Sequence, residues 1–147
     1  MHVIRDGPDQ AAAVLILAHG AGAGAGADSE FMQWFSQSLA GAELANGLAV
    51  CRFDFPYMVT RRSTGIKRPP DRAAVLIKTW HQVISLFRQS STQPRWLFIG
   101  GKSMGGRIAS MVVEAEKVDD IVCLGYPFHP PGKPDTLRTK HLEGLNI

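Results

Sequence analysis

Ser103 stands between two glycines in Gly101-Lys102-Ser103-Met104-Gly105, which fits the pattern G-x-S-x-G. The spacing has a steric reason: a serine at the apex of a tight, strained turn needs neighbours two places away without side chains. The chemistry open to such a serine is attack on an acyl carbon, with the backbone N–H of Met104 facing the oxyanion that forms. Trp96-Leu97-Phe98-Ile99 ahead of it is a short apolar run with an aromatic and β-branched bias, which predicts a buried strand. Arg107 to Glu116 behind it predicts a helix, so the flanks supply the strand, turn and helix the pattern requires.

A second glycine-rich stretch, Gly20 to Ala27, follows the apolar run Ala12 to His19. Two phosphate-binding readings compete with acyl chemistry. Gly101-Lys102-Ser103 echoes the end of a Walker A loop, but that loop needs a glycine at position 96, where Trp96 stands. Gly20-Ala21-Gly22-Ala23-Gly24-Ala25 meets the relaxed dinucleotide fingerprint, with Asp54 closing the next strand. A Gly-Ala repeat fits that fingerprint in several registers, however, and Asp54 lies well beyond the usual spacing of about 20 residues. The acyl-transfer reading accounts for both stretches together. In an α/β-hydrolase the second oxyanion N–H comes from the loop after an earlier strand, and His19-Gly20-Ala21-Gly22 occupies that place, with Ala21 as the donor.

The elements that must position these loops follow from periodicity. Expected strands are His2–Arg5 at an edge, Ala12–His19, Leu48–Phe55, the run before Ser103, and Ile121–Phe128. Asp28 or Ser29 caps a helix whose Phe31, Trp34, Phe35 and Leu39 predict a core stripe, and Asn46-Gly47 is a stop signal. Val59 to Pro70 reads as a basic, proline-bearing loop, and Asp71 opens a helix through Ala74, Ile77, Trp80, Ile84 and Phe87. The tail, Asp135 to Ile147, has a polar helical look. Strands alternating with helices predict an α/β fold, a doubly wound, mostly parallel sheet with helices on both faces, in a single domain spanning residues 1–147.

Composition narrows the partners. In 147 residues, 45% are hydrophobic and 20% charged, the balance of an ordinary globular chain with room for one core. The apolar run Ala11–Ala18 is too short for a membrane span, and the start Met1-His2-Val3-Ile4-Arg5-Asp6 lacks signal-peptide features, so a cytoplasmic protein is expected. The net charge is +3, with much of the excess in Arg61, Arg62, Lys67, Arg68 and Arg72. That cluster reads as a solvated loop; its functional alternative is steering of an anionic substrate. No aromatics interleave with it, so nucleic acid is not an expected partner. Cys51 and Cys123 sit in apolar strand-like runs and are expected to be buried and inert; no Cys/His spacing suggests a metal, and no cofactor is called for.

Several longer motifs carry a family likeness: Leu17-Ala18-His19-Gly20-Ala21-Gly22, Arg52-Phe53-Asp54-Phe55-Pro56-Tyr57-Met58, Pro69-Pro70-Asp71-Arg72, Gly100 to Ser110, and Cys123 to Pro134. From about residue 12 onward the chain resembles the dienelactone-hydrolase-like α/β-hydrolases related to testis-expressed protein 30 and to subunit 3 of the NSL histone-acetyltransferase complex. The resemblance implies an α/β-hydrolase fold, Ser103 as nucleophile and a small-molecule ester or acyl substrate. In that family the triad acid and histidine follow two further strands, and Ile147 falls about where the first should begin. The expectation is therefore a C-terminally truncated domain without a matching acid or base.

Three consequences are open at this point. The chain is part of a longer hydrolase; or it is a hydrolase-fold module used for binding or scaffolding; or local substitutes serve. The local candidate base is His129, which follows the last strand on the sheet edge that carries Ser103, with Asp135 soon after; the alternative for His129 is a loop residue fixed by prolines. His19 is expected to shape the oxyanion loop, Asp54 to hydrogen-bond structurally, and His2, His81 and His141 have no context. The strand 121–128 would be an exposed apolar edge, which predicts self-association as a homodimer.

Overall fold

The computed structural model describes residues 2–22, 24–42 and 47–145. Five strands, β1 (Val3–Asp6), β2 (Ala13–Ala18), β3 (Leu48–Phe53), β4 (Trp96–Lys102) and β5 (Asp120–Leu124), form one sheet in the order β1-β3-β2-β4-β5. All neighbours are parallel except β1, which runs antiparallel along β3. The chain winds outward from β2 to β3, then crosses back to β4 on the other side. β2 is thus the strand where the winding reverses, and the crevice beyond the carboxyl ends of β2 and β4 is where such sheets accept ligands.

Among the described residues five helices cover the sheet: α1 (Glu30–Ala40), α2 (Pro56–Thr64), α3 (Ala73–Arg88), α4 (Met104–Ser110) and α5 (Val113–Glu116). Alternation along the strands sorts the two buried faces. Val14, Ile16, Ala49, Cys51, Phe53, Leu97 and Ile99 pack with Trp80, Ile84 and Ile108 on one face. Leu15, Leu17 and Val50 pack with Met32 of α1 on the other. Trp80 is fully buried and meets Phe53 edge-to-face at a centroid separation of 4.9 Å.

Several sequence expectations are corrected. On α1 the buried residues are Met32 and Ser36; Phe35 and Leu39 are half-buried, while Phe31 and Trp34 are exposed. The apolar spacing is helical, but the face that meets the sheet is centred on Met32 and Ser36, because the Ser36 hydroxyl donates to Asp6 Oδ2 at 2.8 Å. That carboxylate oxygen also takes Arg52 Nη2 at 2.7 Å, a network that joins α1, β1 and β3. The first part of the expected basic loop, Val59 to Thr64, belongs instead to α2 (Pro56–Thr64): Pro56 takes its first turn, where a missing N–H costs nothing, and Gly65 ends it at φ 70°. The helix expected to run from Arg107 to Glu116 is two, because Met111 and Val112 close α4 with i→i−3 bonds and Val112 and Val113 turn into the core.

The last strand stops at Leu124, since Gly125 takes φ 71° and Pro127 cannot extend a ladder. Cys123 is therefore exposed rather than buried. Among its described residues the tail forms only a 3₁₀ turn at Lys140–Leu142, its backbone being drawn back on the segment after β5 through Arg138 N–H to Phe128 O at 2.7 Å. Asn46, half of the expected stop signal, together with Ala23 of the glycine run and Ile147 of the tail, lies outside the described residues. α1 already ends at Gly41.

The burial pattern separates the two aromatic helices experimentally. Trp80→Ala is expected to cost about 3–5 kcal/mol of stability, whereas Trp34→Ala, at a site 62% exposed, should stay within about 0.5 kcal/mol. Chemical denaturation of both variants checks this, and equal losses would refute the burial assignment.

Candidate functional site

β2 and β4 are paired from Ala13–Trp96 to Ala18–Gly101, so the loops that leave their ends emerge side by side. The approach is close enough to dictate the glycines. A Cβ on residue 101 would lie 2.3 Å from Ala18 O, and one on residue 105 would lie 2.4 Å from the same atom. Both positions flanking Ser103 are closed to side chains by one backbone carbonyl. Gly20 faces the same junction, with Lys102 O and Ser103 Cβ next to it.

Ser103 sits between β4 and α4 at φ 50°, ψ −112°, a backbone conformation that a residue with a Cβ adopts only under constraint. The constraint is visible: its N–H donates to Leu124 O at 2.9 Å and its carbonyl accepts from Arg107 N at 3.0 Å. Met104 is the first residue of α4, where an N–H has no intrahelical acceptor.

His19 is wholly buried and neutral, and both ring nitrogens are engaged. Nε2 accepts from Phe55 N–H at 3.1 Å, which puts the proton on Nδ1, and Nδ1 donates to Gly20 O at 2.7 Å. Tyr57 Oη donates to the same carbonyl at 3.1 Å. Burial first, then Asp71 and Asp54, push Tyr57 up to about 12, which keeps it a donor. Since C=O and N–H of a trans peptide point opposite ways, fixing the Gly20 carbonyl inward turns the Ala21 N–H away from the interior. Among the described residues that N–H makes no hydrogen bond.

A cavity of about 410 Å³ opens at this edge, lined by Ala21, Ser103, Met104 and His129 together with Asp71, Arg107 and Arg138. The four residues singled out in the sequence are thus brought to one hollow. They are not joined: among the described residues no hydrogen bond links the Ser103 hydroxyl to a histidine. His129 is exposed, and its Nδ1 lies 3.0 Å from Pro130 O, a contact that places the proton on Nδ1 and leaves Nε2 basic. Asp135 is exposed and does not line the cavity.

Asp54 is structural. Its Oδ1 accepts from Ala27 N–H at 2.7 Å and its Oδ2 lies 2.5 Å from Arg62 Nε; Arg62 also pairs with Asp28. Arg62, expected in a solvated loop, is instead the clasp between α2 and the glycine-rich segment. The dinucleotide fingerprint needs glycines that run from strand directly into helix, yet β2 ends at Ala18 and α1 begins at Glu30.

Sequence reasoning missed a Ser–His contact. Ser110 Oγ and His141 Nε2 are 2.9 Å apart, with Tyr126 Oη 3.2 Å from the same nitrogen. Ser110 lies inside α4, is almost fully buried, and donates its hydroxyl proton to Arg107 O at 2.8 Å. Nothing in sequence spacing signals the contact, which ties the tail to α4. His81, also without sequence context, meets Glu116 Oε1 at 2.5 Å, and Arg88 takes the other oxygen at 2.7 Å. Cys51 is buried as expected, and burial pushes its thiol up to about 11. Partial desolvation raises the exposed Cys123 thiol as well. Among the described residues no cluster of His, Cys, Asp and Glu could hold a metal, and no helix is long and apolar enough to cross a membrane.

Comparison with known proteins adds a family. Residues 11–147 match the family described as an alpha/beta hydrolase domain. Among solved structures, an alpha-beta serine hydrolase homologue from Coxiella burnetii superposes with a TM-score of 0.66 at 20% identity, over 88% of this chain and 59% of that one. A lidless serine hydrolase from Xanthomonas campestris gives 0.66 at 20% identity, over 90% and 59%. Est1E of Butyrivibrio proteoclasticus, solved with ferulic acid bound, gives 0.61 at 14% identity, over 82% and 46%. The chain thus spans 59% of the length of the first two.

The state of His19 can be tested directly. Burial lowers its pKa below 6.5, outweighing the Gly20 hydrogen bond and Asp54, which act the other way. The unfolded chain then takes up a proton that the folded one refuses. His19's contribution is complete above about pH 6.5 and is lost below it, by at most about 1.4 kcal/mol per pH unit. In nitrogen-15 NMR, His19 should be the neutral Nδ1–H tautomer at about pH 7 and should titrate below 6.5. Titration at or above 6.5 would contradict the hydrogen bonding described.

Proposed function

The chain belongs to the alpha/beta hydrolase domain family, and from that premise we propose that it forms one hydrolase unit whose chemistry is acyl transfer to water through Ser103. The observation that carries the reading is the conformation of Ser103, held at φ 50° with the Gly20–Ala21 peptide packed against it. Ser103 Oγ attacks the carbonyl carbon of an ester, and its proton passes to His129 Nε2. The oxyanion of the tetrahedral intermediate rests on the N–H groups of Ala21 and Met104. Collapse breaks the bond to the alcohol, which leaves with the proton held by His129. Water then attacks the acyl carbon, releases the acid and restores the Ser103 hydroxyl.

The substrate class is a small-molecule ester. Within the family, the quoted motifs around His19, Asp54, Ser103 and His129 favour the dienelactone-hydrolase-like group related to testis-expressed protein 30. The cytoplasm is the proposed compartment, and nucleic acid is not a proposed partner.

A fluorophosphonate probe followed by intact mass and peptide mapping is the test. One adduct is expected, located on Ser103 and not on Ser110, and abolished in Ser103→Ala. His129→Gln should slow labelling by about 10²-fold, the usual contribution of a positioned base. One specific observation favours a second reading, a binding or scaffold module on the same fold: among the described residues no histidine is hydrogen-bonded to Ser103. No adduct on the full natural protein would move the conclusion there.

Self-association belongs to the proposal as well. The outer edge of β5 carries half-buried Ile121, Val122 and Leu124, and its ladder is paired on one side only. Unpaired edges of this kind recruit a second strand. Light scattering should report a dimer that Val122→Lys disperses; a monodisperse monomer before mutation would count against it.

A further inference from the structure

Two arginines line the cavity beside Ser103, Arg107 and Arg138, and their charges are close enough to act on each other. Arg107 is one helical turn beyond Ser103, its N–H bonded to the Ser103 carbonyl. The side chain is half-buried, its Nε is buried without a hydrogen-bond partner, and its one contact is Nη1 to Met111 Sδ at 3.7 Å. Arg138 belongs to the tail, 31 positions on by number, yet its backbone is fixed from both sides. Its N–H donates to Phe128 O at 2.7 Å, and its carbonyl accepts from Tyr126 Oη at 2.8 Å. The Tyr126–Phe128 segment and the tail therefore fold together to bring a second positive charge to the first. Burial, then the neighbouring Arg138 charge, lower the pKa of Arg107.

Neither arginine has a carboxylate within ion-pair distance among the described residues, whereas Arg52 and Arg88 each pair with one and Arg62 with two. The acid that shares the cavity, Asp71, already accepts the Tyr57 N–H at 2.9 Å where it caps α2. Two unpaired, partly desolvated cations in one hollow repel each other, and an anion between them removes the repulsion while supplying acceptors for planar donor forks. We infer that Arg107 and Arg138 form an anion subsite, and that the hydrolase takes esters whose acyl part ends in a carboxylate, half-esters of short dicarboxylic acids. This rests on the acyl-transfer reading of Ser103, since the subsite is placed relative to that serine. Arg107 N–H bonds to the Ser103 carbonyl at 3.0 Å and both residues line the one cavity, so the anion sits near the scissile carbonyl.

Two measurements test the inference. The first compares 4-nitrophenyl hemiglutarate with 4-nitrophenyl valerate, equal in carbon number and different in charge. The anionic ester should be preferred at least about tenfold, and Arg107→Gln and Arg138→Gln should each reduce that preference about tenfold. Arg107→Lys, which keeps the charge without the fork, should fall between. A preference for valerate, or one that survives both substitutions, overturns the subsite.

The second measurement uses Ser103→Ala, in which binding is separated from turnover, and titrates monomethyl glutarate by calorimetry. Binding should be detectable and should weaken about tenfold with Arg138→Gln, a tail position whose loss leaves the α4 packing in place. No binding in Ser103→Ala overturns the subsite whatever the esterase result. Tighter binding of inorganic phosphate than of monomethyl glutarate overturns the carboxylate assignment. Binding in Ser103→Ala with no hydrolysis of either ester by the unmodified protein leaves the subsite standing and overturns the hydrolase reading alone.

Discussion

The carbonyl of Ala18 occupies the space that side chains at positions 101 and 105 would need. This single close approach depends on the parallel pairing of β2 with β4, and most of the site's geometry depends on it. With both positions reduced to glycine, the chain can turn out of β4 sharply enough to enter α4 at once. Ser103 is left at the apex, and the Gly20–Ala21 peptide is brought beside it. A larger residue at either place would separate the two loops. The rest of the sheet serves this contact: β3 holds β2 from one side, and β5 receives the Ser103 N–H through Leu124 from the other.

The polar groups around that contact divide by charge. On the β2 side everything buried is neutral or balanced. His19 is held uncharged by burial and by two hydrogen bonds, and Arg52, Asp54 and Arg62 are each engaged by opposite charge or backbone. On the α4 side the charges are left open, with Arg107 and Arg138 facing the hollow. The asymmetry is physically sensible. A loop that must keep one peptide plane in place tolerates no titration nearby, while a surface that meets an anion needs charge that its own scaffold does not neutralise.

Much of this was legible in the sequence. The five strands, the doubly wound order and the position of Ser103 follow from apolar runs and from two glycines at fixed spacing, because those patterns report local sterics and burial. What was not legible depends on which neighbour a side chain meets. Phe31 and Trp34 have helical spacing, but only the Ser36–Asp6–Arg52 network decides which side of α1 turns inward. Arg61 and Arg62 look like loop charge until Pro56 and Gly65 are seen to bracket a helix. The Arg107–Arg138 pair joins a helix to a distant tail and has no periodicity at all. The place of His129 after the last strand puts it at the cavity with Ser103, while the Ser110–His141 contact had no such marker.

The backbone of Ser103 has a consequence for how this sequence could drift. A non-glycine residue at φ 50°, ψ −112° costs about 1–3 kcal/mol, a sizeable part of the stability of a chain this long. Glycine would relieve that strain while keeping every backbone bond the turn makes. Folding alone therefore pulls position 103 toward glycine, and a lineage released from chemistry would lose the hydroxyl before it lost the fold.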